Sequence, residues 1–267
     1  IASFIGVSGL FALTGILTVI SIGVVAWMTP EPEESKLHED TQAQPSRMGE
    51  VLKNRQLLNL DFGIFALHAA QMALFTALPF AMTQLGLEKI HHWQVYLPST
   101  ITGLIIMVPL IIVGETRNKL KQVFILGIVC IAAAQIGLLF GMHSIWLITA
   151  YLIVYFIGFN VLEASLPSMV SKIAPSDLKG TAMGVYNTLQ SVGLFVGGAT
   201  GGLLFQKYGF SGVFAFCSVL MLLWLVLAVI SPAPKPVKNL SYPLNAEWQQ
   251  NPDLLYQKLT EIEGVES

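Results

Sequence analysis

Charge is what this sequence has least of. Lys, Arg, Asp and Glu make up 11% of its 267 residues, against about 25% in an ordinary soluble domain. Hydrophobic residues make up 54%, and the mean hydropathy is +0.67. So few charges cannot clothe the surface of a water-soluble globule of this size, which excludes a soluble enzyme. The formal net charge is −2, and there is no basic patch with interleaved aromatics. Nucleic acid is therefore excluded as a partner. Cysteine is nearly absent. Cys130 and Cys217 each sit inside an apolar run and read as small buried hydrophobes, not as a disulfide or a metal pair. The apolar segments hold no metal-ligand cluster and no nucleophile–base set, so neither a metal, a cofactor nor a membrane enzyme is expected. A methionine start is missing too. The chain opens at Ile1 within apolar sequence, without the charged region of a signal peptide, and a native start upstream is expected.

What is present is apolar length. A bilayer core needs about 20 apolar residues per helix. Seven windows meet that, near 8–28, 59–80, 96–114, 123–142, 145–169, 183–205 and 211–231. Such lengths predict helices, since barrel strands would be about ten residues of alternating polarity. The basic residues between windows fall on one side. Of 14 Lys and Arg, only Lys89 and Lys207 lie on the other. The side rich in basic residues is predicted to be cytoplasmic, and with it the C-terminal tail. No window contains Lys or Arg, and the last, 211–231, offers no Schiff-base lysine for retinal. A seven-helix receptor for another ligand stays open as the alternative reading.

Spacing divides the chain. Residues 1–28 hold one span. Residues 29–58 form a polar linker with Pro30, Pro32, Pro45 and an acidic cluster, the longest polar gap between windows. Residues 59–231 hold six spans with short connections, as a complete six-helix bundle would. Residues 232–267 begin with the stiff spacer Pro232-Ala-Pro234-Lys-Pro236. A short strand over 239–244 and an amphipathic helix begun by Asn251-Pro252-Asp253 are expected to follow. That helix carries an apolar stripe of Leu254, Leu255, Leu259 and Ile262, too little to make a core alone. It reads as the start of a small soluble domain.

The stretch Gly180-Thr-Ala-Met-Gly184-Val-Tyr-Asn187-Thr-Leu-Gln190 runs on through Gly193, Gly197 and Gly201. Glycine at every fourth position puts small residues on one helix face, where two backbones can approach closely. The phrase also resembles the eleventh helix of the major facilitator superfamily. Gly158-Phe-Asn160-Val-Leu-Glu163-Ala-Ser-Leu-Pro167, followed by Ala174-Pro175, is similar to its tenth helix. Gly114-Glu115-Thr-Arg117-Asn-Lys119-Leu-Lys121 is similar to a degenerate second copy of its cytoplasmic loop signature. The resemblance covers residues 8–231 as helices six to twelve of twelve. It implies an all-α integral membrane fold and alternating access, with an N-terminal six-helix bundle completing the cavity. Within the superfamily it points to bacterial inner-membrane transporters of the drug-efflux branch that carry a ferredoxin-like α+β domain after the last helix. Proton-coupled efflux of small amphipathic molecules is the function it implies. Its partners are lipid, protons and a small-molecule substrate.

Polar groups in hydrocarbon are costly and are the first functional suspects. Two carboxylates, Asp61 and Glu163, and one histidine, His68, lie within the windows. Glu163 supports two readings. In one it is a latch that pairs with Arg117 or nearby helix ends and holds one conformation closed, with Glu115 of the same loop a further candidate. In the other it is a carboxylate that loads and releases protons. His68, Gln71 and Phe75 share a helix face, and His68 can change charge near neutral pH. Asp61 lies on that face two turns earlier and is expected at the cytoplasmic interface. Tyr155, Phe156 and Asn160, with Tyr186, Asn187 and Gln190, are further candidates to line a substrate path. For each of these side chains, helix packing is the competing reading.

Overall fold

The computed structural model describes residues 2–29, 44–232 and 258 of the chain. α1 is Ala2–Met28. A 3-10 turn at Pro45–Arg47 leads into the short α2, Met48–Lys53. The longer helices follow: α3 (Arg55–Gln84), α4 (Trp93–Thr116), α5 (Leu120–Phe140), α6 (Ile145–Ile173) and α7 (Lys179–Ile230). Apart from Lys258, the strand and helix expected over 239–262, and with them the ferredoxin-like domain, lie outside the described residues, as does the linker over 30–43.

Local chemistry sets several helix ends. Asn54 caps α3, its side-chain oxygen accepting from the N–H of Gln56 at 2.9 Å and of Leu57 at 3.3 Å. Ser144 caps α6 by accepting from Leu147 N–H at 3.2 Å. Between α4 and α5 the chain turns on Asn118 at φ 53°, a conformation Asn tolerates better than most residues.

The sixth and seventh spans expected from sequence occur as one helical element of 52 residues, interrupted only at Gly209 (φ 62°, ψ −151°). That backbone region is essentially reserved for glycine. The chain folds back there. A Cβ on Gly212 would lie 3.2 Å from the carbonyl oxygen of Leu204, and the rings of Phe205 and Phe210 sit 5.1 Å apart. α7 is thus a hairpin with a first arm over 179–208 and a second over 210–230.

α3 lies between the two arms. The first arm runs parallel to it: Gly193 meets Phe65, Gly197 meets Ala69 and Gly201 meets Ala73. The second runs antiparallel, with Cys217 against the Ala70 carbonyl and Trp224 over Gly63. Lipid tails are as apolar as leucine, so burial of apolar surface does little to hold helices together in a membrane. Close backbone approach between small residues does that work instead. The α3 face that meets the arms is accordingly rich in fully buried alanine, including Ala66, Ala69, Ala70, Ala73 and Ala77.

The basic connections gather at one end of the bundle. Lys172 pairs with Glu115 at 3.0 Å. Arg47 pairs with Asp177. Lys121 donates to the Val229 carbonyl at 3.1 Å and also to that of Ser231, capping the end of α7. Lys89 and Lys207 belong to the α3–α4 connection and the α7 hairpin, at the opposite end. α1 stands apart: its stretch Ser8–Met28 buries nothing against the other described residues.

Candidate functional site

Three helices converge on His68. It projects from the α3 face that meets α7 and is 5% exposed. Its Nδ1 lies 3.2 Å from the carbonyl oxygen of Ile64, one turn back on the same helix. Its Nε2 lies 2.8 Å from the amide nitrogen of Gln190 on the first arm of α7. The same Nε2 lies 3.3 Å from Oε1 of Glu163 on α6.

These heavy-atom contacts imply a proton arrangement. An amide nitrogen donates only, so Nε2 of His68 accepts from Gln190. The imidazole proton then sits on Nδ1 and donates to Ile64. This leaves Nε2 with no hydrogen for Glu163. Accordingly Oε1 of Glu163 has no hydrogen-bond partner among the described residues, although it lies within ion-pair range. Two acceptor atoms face each other at 3.3 Å. One added proton, on either atom, converts that opposition into a hydrogen bond. The Glu163 side chain is 35% exposed, although the Oε1 that faces His68 is itself buried.

Aromatic rings extend from this cluster. His68 meets Phe159 edge-on at 6.0 Å, and Tyr155 stacks on Phe159 at 5.9 Å. Phe156 reaches Phe75 at 6.5 Å, and Phe75 reaches Tyr96 of α4 at 5.5 Å. Phe159 and Tyr96 were not singled out by the sequence reading. Phe159 could have been, since Tyr155, Phe159 and Glu163 recur every four residues and share one face of α6. Asn160 faces α4, where a Cβ on Gly103 would lie 2.9 Å from its amide nitrogen.

Other candidates fall elsewhere. Gln71 is half-buried on α3, outside the hydrogen-bonded cluster. Tyr186 is buried, and Asn187 is exposed along the first arm of α7. The seam glycines belong to packing geometry: a Cβ would come within 2.5 Å of the Phe65 oxygen at Gly193, 2.2 Å of the Ala69 oxygen at Gly197 and 2.8 Å of the Ala73 Cα at Gly201.

One expectation requires correction. Glu163 does not pair with Arg117; among the described residues the basic side chain within ion-pair range of it is His68. Depth is the reason. Glu163 lies nine residues, roughly 13 Å of helix, before Lys172, and Lys172 is the residue level with the α4 end through Glu115. Asp61 is 1% exposed, with Oδ2 unpartnered among the described residues, on the buried face of α3 with Leu57, Leu60 and Ile64. Two residues before it, Asn59 donates to the Ser231 hydroxyl at 2.6 Å, level with the Lys121 contact at the end of α7.

Among the described residues no group of His, Cys, Asp and Glu forms a metal site. What the cluster can do is hold and move a proton between two side chains next to an aromatic wall.

Comparison with known proteins agrees with this architecture. The family model described as Major Facilitator Superfamily matches residues 1–198 and 120–259. The chain is 34% identical over 261 residues to the inner membrane transport protein YajR of Escherichia coli K12, covering 98% of this chain and 57% of that protein. It is 29% identical over 197 residues to an uncharacterized transporter of Buchnera aphidicola subsp. Baizongia pistaciae, covering 71% of this chain and 48% of that one. The chain thus spans about half the length of these relatives. Polytopic helices, glycine seams and the two family-model matches lead to one assignment: the chain belongs to the major facilitator superfamily of membrane transporters.

Proposed function

We propose that this chain supplies the C-terminal half of a proton-coupled transporter that exports small amphipathic molecules by alternating access. In this reading α1 is the last helix of the N-terminal bundle and residues 29–58 are the central linker. Residues 59–231 are the C-terminal bundle, and residues 232–267 are a spacer and the start of a small soluble domain. The protein spans the bacterial inner membrane, with its basic end and C-terminal tail in the cytoplasm.

The observation that carries the reading is the facing of His68 Nε2 and Glu163 Oε1 at 3.3 Å. α3 from 56 to 84, α6 from 145 to 171 and α7 from 180 to 206 contain no Lys or Arg. A carboxylate among such helices is expensive without a partner, and the partner provided is a histidine that can be neutral or charged. Loading one proton changes the charge of the pair and its hydrogen bonding. That change is the bias a rocking bundle needs to favour one orientation over the other. The aromatic run from Phe159 to Tyr96 supplies a wall suited to apolar and aromatic compounds. Asn187, Thr188 and Ser191 are exposed on the first arm of α7. A polar face on a spanning helix belongs toward a water-filled cavity or a second bundle, not toward lipid. This supports the placement of a substrate path there.

The test uses the full-length protein in proteoliposomes with an imposed pH gradient. Glu163→Gln should retain substrate binding while uptake into inverted vesicles stops responding to the gradient. A Glu163→Gln protein with the same pH dependence as the parent would refute the coupling role.

A further inference from the structure

We infer that Gln190 is a positioning residue that decides which side chain carries the site's proton, Glu163 or His68. Its use in transport rests on the proton-coupling reading above; its geometry does not. Nε2 of an imidazole has one lone pair. In this structure that lone pair is taken by the Gln190 amide, 2.8 Å away. While the amide N–H stays there, Nε2 cannot accept a proton, and a proton arriving at the site remains on the Glu163 carboxyl. If the first arm of α7 moves off α3, the lone pair is released. The Glu163 O–H bond then breaks, an Nε2–H bond forms, and the products are an imidazolium and a carboxylate that attract one another across the present 3.3 Å. The return of Gln190 reverses the transfer. Seated nitrogen-first, as here, the amide cannot accept from Nε2–H, so the imidazolium must give up that proton before the amide can seat again in this orientation.

The seam explains why Gln190 is held so firmly. One turn further along, a Cβ on Gly193 would lie 2.5 Å from the Phe65 carbonyl oxygen, so the two backbones are in contact. The amide is therefore seated while the α3–α7 seam is shut and withdrawn when it opens. Proton position and helix position become one variable. The pair of tied helices also changes: α3 is bound to α7 when His68 is neutral, and to α6 when it is charged.

The other ionisable groups around the cluster are few. α6 brings Glu163 and Tyr155, and the Tyr155 hydroxyl has no hydrogen-bond partner among the described residues. The first arm of α7 brings Tyr186, which is buried. The second arm brings Cys217, whose thiol is turned to the Ala70 carbonyl. Asp61 lies seven residues back on α3, roughly 10 Å along the axis. None of these competes for Nε2, so the choice of partner there lies between Gln190 and Glu163.

The experiment reads the histidine tautomer directly, by nitrogen NMR of the full-length protein carrying 15N-histidine in nanodiscs. The pH is about 9, well above the ordinary histidine range, and the His68 signals are those lost in His68→Gln. The parent protein should show a protonated Nδ1 and a bare Nε2. Gln190→Met keeps the volume and removes the donor, and should move the majority of His68 to the Nε2–H tautomer, which can donate to Glu163. Gln190→Leu also removes the donor and should do the same, so that one folded variant suffices. A parent protein with Nε2–H, or a tautomer unmoved by either variant, overturns the proposal. If the tautomer moves as stated but transport ignores the pH gradient, the positioning role stands and the coupling reading fails. If transport follows the gradient but the tautomer does not move, the positioning role alone fails.

Discussion

At the residue scale, the same amino acid carries different burdens at different places. Gly197 is needed for space: a Cβ would lie 2.2 Å from a backbone oxygen of α3, which cannot rotate away as a side chain could. Gly197→Ala should push the two helices apart and destabilise the bundle by roughly 1–3 kcal/mol, the usual cost of overpacking. A lower midpoint of thermal unfolding in detergent checks this. Asp177 carries a different burden. Its side chain meets Arg47, which also bonds Glu50 at 2.8 Å, and Gln44 donates to the Asp177 carbonyl at 3.2 Å. Together these contacts fasten the end of the linker beside α7. The Arg47 guanidinium holds the Asp177 carboxyl below its usual range and the Glu50 carboxyl below its own. A carboxyl lowered in the folded state contributes above its unfolded value, about 3.9 for Asp, and the contribution is lost as pH falls through the lower folded value. Deuterium exchange over residues 44–53 should therefore be unchanged between pH 7 and pH 5 once corrected for intrinsic rates. Asp177→Asn should speed that exchange at pH 7. Equal protection in the variant and the parent would show that the ion pair does not hold the linker.

At the element scale, α7 shows how two spans can share one short reversal. The turn rests on a single residue, Gly209, where nothing lies within 4 Å of an added Cβ. The cost of a side chain there is conformational and not steric. At φ 62° and ψ −151° even Asn is out of place, so Gly209→Ala and Gly209→Asn should each cost about 1–3 kcal/mol. Rescue by Asn alone, seen as a parent-like unfolding midpoint, would mean that the turn relaxes to an ordinary left-handed geometry. The sequence exposed the spans because apolar length is a property of composition. It exposed the glycine seam because a four-residue repeat puts small residues on one helix face whatever the partner is. It did not expose the pairing of Glu163 with His68. That pairing depends on the depth and rotation of α3, α6 and α7 relative to one another, and no pattern within a single helix encodes these. The same limit explains why Arg117 looked like a partner for Glu163: both were assigned to one side of the membrane, but their separation along the helices was not fixed. Tyr96 joined the site for a similar reason, through its contact with Phe75 across helices, whereas the four-residue spacing from Tyr155 to Glu163 already put Phe159 on their face of α6.

At the scale of the whole molecule, the organising asymmetry is electrical. The contacts Lys172–Glu115, Arg47–Asp177 and Lys121 with the end of α7 draw basic residues from separate connections to one end of the bundle. The other end keeps Lys89 and Lys207. Retention of positive charge on the cytoplasmic side would orient such a bundle with Asn118 inside and Lys207 outside. Thiol labelling checks this with little background, because Cys217 is buried and Cys130 is only partly accessible, each within a spanning helix. In intact cells stripped of their outer membrane, Lys207→Cys should react with a membrane-impermeant maleimide while Asn118→Cys should react only after the membrane is breached. In inverted vesicles the pattern should be reversed. The reverse assignment in both preparations would place the linker and the Asp177 clamp outside the cell, where a proton-driven exporter would have its exit. The coupling proposed above would then have to be rewritten with its two sides exchanged, because it is framed with the basic end in the cytoplasm. Orientation is therefore the measurement that ties the charge asymmetry of the bundle to the two sides of the membrane, and it does not depend on knowing the substrate.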